Sequence, residues 1–166
     1  MTEGHDSPGM KARHALLVAL AAAVTLTAVA AAGPDAAKQR VAIDMKLYPQ
    51  KTFVLTPLQA GPPKRDTGTI SHDLLSISGH DVMRDGQRVT IYNGGVITLT
   101  GKLGTLTIRD RNEWVNVGNN DQIAFSTWKV VRGTGQYAGI VGKGRGGHAG
   151  LGSPWYARYE GFLTVP

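Results

Sequence analysis

From Thr127 to Gly144 the chain reads Thr-Trp-Lys-Val-Val-Arg-Gly-Thr-Gly-Gln-Tyr-Ala-Gly-Ile-Val-Gly-Lys-Gly. This is a strand, a reversal built on Gly133, Thr134, Gly135 and Gly139, and a second strand in which glycine keeps returning. Gly139, Gly142, Gly144, Gly146, Gly147 and Gly150 follow in close succession. At period two, Gly142, Gly144 and Gly146 leave one face of that strand without side chains. Glycine inside a strand costs stability, so such a row implies strong curvature or the close approach of a bulky ring. Trp128, Tyr137 and Trp155 are the rings available to cover it. The pattern predicts a sheet that bends until it closes.

The rest of the chain after Thr52 keeps the same period. Val89 and Ile91, Ile97 and Leu99, and Leu106 and Ile108 each alternate with polar or smaller residues. At the end, Trp155, Ala157, Tyr159, Leu163 and Val165 share one face, and Tyr156, Arg158, Glu160, Phe162 and Thr164 share the other. Asn93-Gly94-Gly95 predicts a tight hairpin, and Asp110 to Gln122 is the longest loop candidate. Turn signals recur at short intervals, which in a chain of this size points to a sandwich or barrel. The expected fold is all-β, a closed antiparallel barrel of about eight strands over residues 52–166. Residues 33–51, with Pro34, Pro49 and mixed charge, read as a linker.

Residues 1–32 read as a secretory signal peptide. Lys11, Arg13 and His14 precede an apolar, alanine-rich run from Ala15 to Ala32 that ends in small-x-small sequences. The run has no preceding Arg-Arg pair, so the general export route fits it. Left uncleaved, this segment would be the chain's one route into a membrane, although it is short and mostly alanine for a span. The chain has no cysteine, so an exported domain must stand without disulfides. The leader holds two charges of each sign, and the remainder therefore keeps the formal net charge of +6. A positive balance favours acidic surfaces such as an anionic cell-envelope component, a cell-wall polymer or lipid headgroups, or nucleic acid. The cations are spread along the chain, however, which fits a solubilising surface and no specific nucleic-acid recognition.

The segment Gly133-Thr134-Gly135-Gln136-Tyr137-Ala138-Gly139, preceded by Trp128-Lys129-Val130-Val131 and followed by Gly142-Lys143-Gly144, resembles the GTG-aromatic-Ala-Gly hairpin of allene-oxide-cyclase-like and dirigent-like barrels. Small secreted bacterial members of unassigned activity look closest. Arg84-Asp85-Gly86-Gln87 and Gly101-Lys102-Leu103-Gly104-Thr105-Leu106 resemble recurrent elements of the same chains. The likeness implies an eight-stranded barrel with an apolar cavity, which in the plant enzymes steers cyclisation of a lipid epoxide and in dirigent proteins orients phenolic radicals. Neither activity carries over, because the matching residues build the hairpin and align no catalytic carboxylate. The chain also has Ile140 and Val141 where the plant motif often has a small residue and Arg.

The residues themselves offer few chemical constellations. His72-Asp73 and His80-Asp81 repeat at a spacing that would leave the histidines far apart on one strand, with no further ligand at metal-binding spacing. Ser71-His72-Asp73 alternates faces and cannot form a relay. Gly142-Lys143-Gly144-Arg145-Gly146-Gly147 fits a curved strand with two exposed charges better than a phosphate loop. Neither a cofactor nor a metal is expected. The catalytic candidates are Glu113, Glu160, Tyr137 and Tyr159; the ligand-contact candidates are Trp114, Trp128, Tyr137, Trp155 and Tyr159. Three functions remain open: a non-catalytic binder of a small apolar or amphipathic molecule or of an envelope component, a cyclase or isomerase acting by shape, and a partner-binding surface protein using its charge.

Overall fold

The computed structural model describes residues 37–73, 78–119, 121–151 and 153–166. The signal-peptide expectation for residues 1–32 lies outside them. Nine strands form one antiparallel sheet: β1 (Ala37–Tyr48), β2 (Thr52–Pro57), β3 (Asp66–Asp73), β4 (Ser78–Arg84), β5 (Gln87–Gly101), β6 (Gly104–Gly118), β7 (Asp121–Gly133), β8 (Val141–Gly150) and β9 (Trp155–Val165). A single 3-10 turn, Gly135–Tyr137, is the one helical element among the described residues. The strand order is β3-β2-β1-β9-β8-β7-β6-β5-β4, and β3 also pairs with β5. One side of β5 thus carries two partners, β4 along Gln87–Asn93 and β3 along Val96–Gly101.

Three local expectations are corrected. The stretch read as a linker contains β1, which pairs with both β2 and β9. Val41, Ile43 and Met45 are buried while Arg40 and Lys46 are exposed. The period of two was present there, masked by Ala42 and the flanking prolines. Asn93-Gly94-Gly95 is a bulge inside the continuous strand β5, with Gly94 at φ 88. A glycine with positive φ serves a bulge as readily as a turn. The supposed loop from Asp110 to Gln122 is mostly strand, with β6 running to Gly118 and β7 beginning at Asp121.

The buried face is built as the alternation requires. Cross-strand partners share a face, and Ile43 lies opposite Leu55 and Tyr159, Ile70 opposite Leu99, and Ile97 opposite Ile108. These residues, with Met45, Phe53, Leu106, Trp128, Tyr137, Ile140 and Leu163, form one apolar cluster. The glycine row accommodates rings as anticipated, with a different membership. A Cβ on Gly144 would meet the Trp128 ring at 2.7 Å, and one on Gly146 would strike the Tyr159 ring. Trp155 covers Gly150 instead, at 2.9 Å.

At Gly133–Gly139 the chain turns back through the 3-10 turn. Gly135 has φ 61, and a Cβ there would collide with the Leu103 carbonyl. Thr134 accepts the Thr105 amide on its hydroxyl at 3.0 Å. The turn delivers Tyr137 into the cluster, where its hydroxyl donates to Asp66 Oδ2 at 2.9 Å.

Candidate functional site

Two buried tyrosines each donate to a buried carboxylate, and the two carboxylates differ in how fully they are used. Asp66 Oδ1 accepts the amides of Thr67 and Lys102 at 2.8 and 3.0 Å. Its Oδ2 accepts the Leu103 amide at 3.3 Å as well as the Tyr137 hydroxyl. This carboxylate is satisfied and ties β3, the β5–β6 turn and the 3-10 turn together. Burial, with the bond to Asp66, pushes the Tyr137 hydroxyl above its ordinary range. Tyr137 is thereby a structural tie.

Asp110 on β6 is the second carboxylate. Tyr159 on β9 donates to its Oδ2 at 2.6 Å, and His148 Nε2 on β8 lies 2.7 Å from the same hydroxyl. The phenol has one proton and gives it to the carboxylate, so Nε2 of the imidazole carries the hydrogen that completes the second bond. His148 Nδ1 is then a lone pair with no hydrogen-bond partner, and Asp110 Oδ1 and Trp128 Nε1 are likewise buried without one. Burial lowers the His148 pKa to about 4 against the opposing charge of Asp110. Burial first, and the Asp110 charge second, push the Tyr159 hydroxyl far up. At neutral pH the imidazole is neutral and the phenol protonated. Such an arrangement can hold or pass a proton.

Aromatic rings surround this group. Trp128 stacks on Tyr159 at 6.4 Å, and Trp114 lies 5.3 Å from His148 and 5.8 Å from Trp155. Four of the five ligand-contact candidates, Trp114, Trp128, Trp155 and Tyr159, therefore gather around His148, while Tyr137 sits with Asp66. Beside His148 a pocket of about 440 Å³ is lined by Met45, Phe53, Ala149 and Ala157. Tyr159, Ile43, Met45, Ile97 and Ile108 are all at 2 % exposure or less.

The candidate carboxylates lie elsewhere. Glu113 receives Arg84 and Arg111 at 2.6 Å each, and both guanidiniums hold its carboxyl below the usual range. Glu160 pairs with Arg158 and Arg40 at 3.0 and 3.1 Å, with the same effect. Both are on the exposed face, away from the tyrosines. His72 and His80 pair with Ile97 and Ile91 of the same strand, which separates them by roughly 20 Å. No group of three acidic, histidine or cysteine side chains placed to hold a metal occurs among the described residues.

The exposed face carries a different feature. Arg109, Lys129 and Lys143 are direct partners across β6, β7 and β8, and the row continues through Phe162 to Arg40. The next row up holds Arg111, Thr127, Arg145 and Glu160. Arg109, Lys129, Lys143 and Arg145 are exposed and have no ion pair among the described residues. A groove of about 840 Å³ runs across these rows. Like charges directly opposite each other on a sheet are destabilising, so the row is a cost borne by the fold. The cations that look scattered in the sequence are gathered by strand register.

No protein-family model, curated protein or solved structure matches this chain. The geometry therefore carries the functional reading.

Asp110, His148 and the basic row were not among the sequence candidates. Asp110 continues the inward alternation of Leu106 and Ile108, and His148 that of Gly142, Gly144 and Gly146. His148 follows from parity along β8 alone, and Asp110 from parity once β6 runs past residue 110. The basic row depends on the pairing of distant strands, and no local pattern announces it.

Proposed function

We propose that this protein is an exported closed barrel that works through its outer face, holding a phosphate-bearing anionic component of the cell envelope on the basic groove. Closure is supported by the β3–β5 pairing, which gives eight of the strands a neighbour on both sides. The resemblance to secreted allene-oxide-cyclase-like and dirigent-like barrels agrees with it. The groove across the basic rows, at about 840 Å³, is larger than the pocket of about 440 Å³ beside His148, which favours the outer surface as the place of action. The observation that carries the reading is the uncompensated row Arg109–Lys129–Lys143. Binding of long-chain inorganic polyphosphate, followed by calorimetry, tests it. Tight, salt-sensitive binding lost in Lys129→Glu/Lys143→Glu is the expected result. Equal binding by the double variant would refute the reading.

A second reading rests on the Tyr159–Asp110–His148 group, whose buried unbonded atoms are those a small polar ligand would satisfy. On that reading the barrel binds a small molecule inside or acts as a cyclase or isomerase by shape. A stoichiometric small-molecule adduct in native mass spectra of the protein from its own host would favour it over the groove.

A further inference from the structure

Beside the cation row the exposed face carries large apolar side chains among Arg132, Thr164 and Lys38. Phe162 lies within the row, between Lys143 and Arg40, and is 46 % exposed. Val131 is the extra residue of a bulge in β7 just beyond Lys129, and Val141 lies two residues before Lys143 on β8; they are 48 % and 57 % exposed. The two strands run antiparallel, so both valines lie on the same side of the row. The face thus presents cations and large apolar side chains within one or two residues of each other.

Resting on the proposal that the groove binds anions, we propose that its occupant is the surface of an anionic lipid bilayer, with Arg109, Lys129, Lys143 and Arg145 at the headgroup phosphates and Val131, Val141 and Phe162 in the outer acyl region. A soluble polyanion explains the cations and leaves the valines idle, exposed to water with nothing to cover them. A lipid surface uses both, because it offers negative charge at the headgroups and apolar contact just beneath. Nucleic acid could stack on Phe162 but has no use for Val131 and Val141. The long basic side chains can reach up to the headgroups while their stems lie along the apolar side chains. This contact is separate from any insertion of the leader, and it belongs to the folded strands.

Co-sedimentation of the protein with vesicles tests the proposal, using phosphatidylcholine with and without about one-third phosphatidylglycerol. Polyphosphate binding serves as the parallel assay. The protein should sediment with the anionic vesicles and remain free of the neutral ones. Val131→Ser/Val141→Ser, which leaves every side chain lining the groove in place, should bind anionic vesicles at least tenfold more weakly while binding polyphosphate as before, which also shows that the variant is folded. If the double variant binds anionic vesicles as the parent does, or if the parent binds polyphosphate and ignores vesicles, the lipid assignment is wrong and the anion groove stands. If the parent binds neither probe, both fall.

Discussion

Lys129 stands directly opposite Lys143 across the β7–β8 ladder, with Arg109 opposite Lys129 on its other side. Reversing the central charge turns two repulsions into two attractions. Lys129→Glu should therefore stabilise the fold by about 1 kcal/mol, raising the melting temperature by roughly 3–5 °C. Parent stability should also rise between about 0.02 and about 0.3 M salt as the repulsion is screened, and the variant should lose that dependence. Thermal melts at the two salt levels check both. A variant less stable than the parent would show that the row is not strained.

The two buried carboxylates should respond differently to substitution. Asp66→Ala removes the acceptor of three amides and the Tyr137 hydroxyl, and should cost at least about 3 kcal/mol. Asp110→Asn keeps an oxygen for Tyr159, removes a buried charge and should stay within about 1 kcal/mol of the parent. Urea denaturation of the pair measures the contrast.

Acid should weaken the protein through His148. An unfolded histidine binds its proton below about pH 6.5, whereas the native side chain resists it until about pH 4. Between those values the unfolded state holds more protons, so stability is full above the window and declines as pH falls through it, by up to roughly 3 kcal/mol. His148→Gln should flatten that slope. Denaturant midpoints at either end of the window, for parent and variant, provide the check.

The glycine row should tolerate no side chain where the rings press on it. Gly144→Ala would place a methyl 2.7 Å from Trp128 and against the Glu160 carbonyl. Backbone and ring cannot both give way, and a loss above about 2 kcal/mol is expected. A melting temperature close to that of the parent would contradict the packing described for Trp128.

Much of the architecture was legible because strand alternation is local. Tyr159, Leu163 and Ala157 fall on the buried face as their spacing in the last strand requires, and Trp128 covers the bare face of β8. The errors arose where one residue type serves two structures. Gly94 marks a bulge as well as it marks a hairpin, and Asn116 and Gly118 look loop-like although β6 extends through them. Pro49 and Pro34 made the segment around β1 look like a linker, yet Val41, Ile43 and Met45 already carried its alternation. The site was harder to read, because Tyr159, His148 and Asp110 meet only through the order of β6, β8 and β9. Glu113 and Glu160 are carboxylates with the chemistry of an acid or base, but Arg111 and Arg158 sit two residues away on the same face and claim them.

The most direct test of the central claim is to map polyphosphate binding on the isotope-labelled protein by amide chemical shifts. The largest changes should fall at Arg109, Lys129, Lys143 and Arg145, fading as salt is added. Changes centred on His148 and Tyr159, or spread evenly over the surface lysines and arginines, would contradict it.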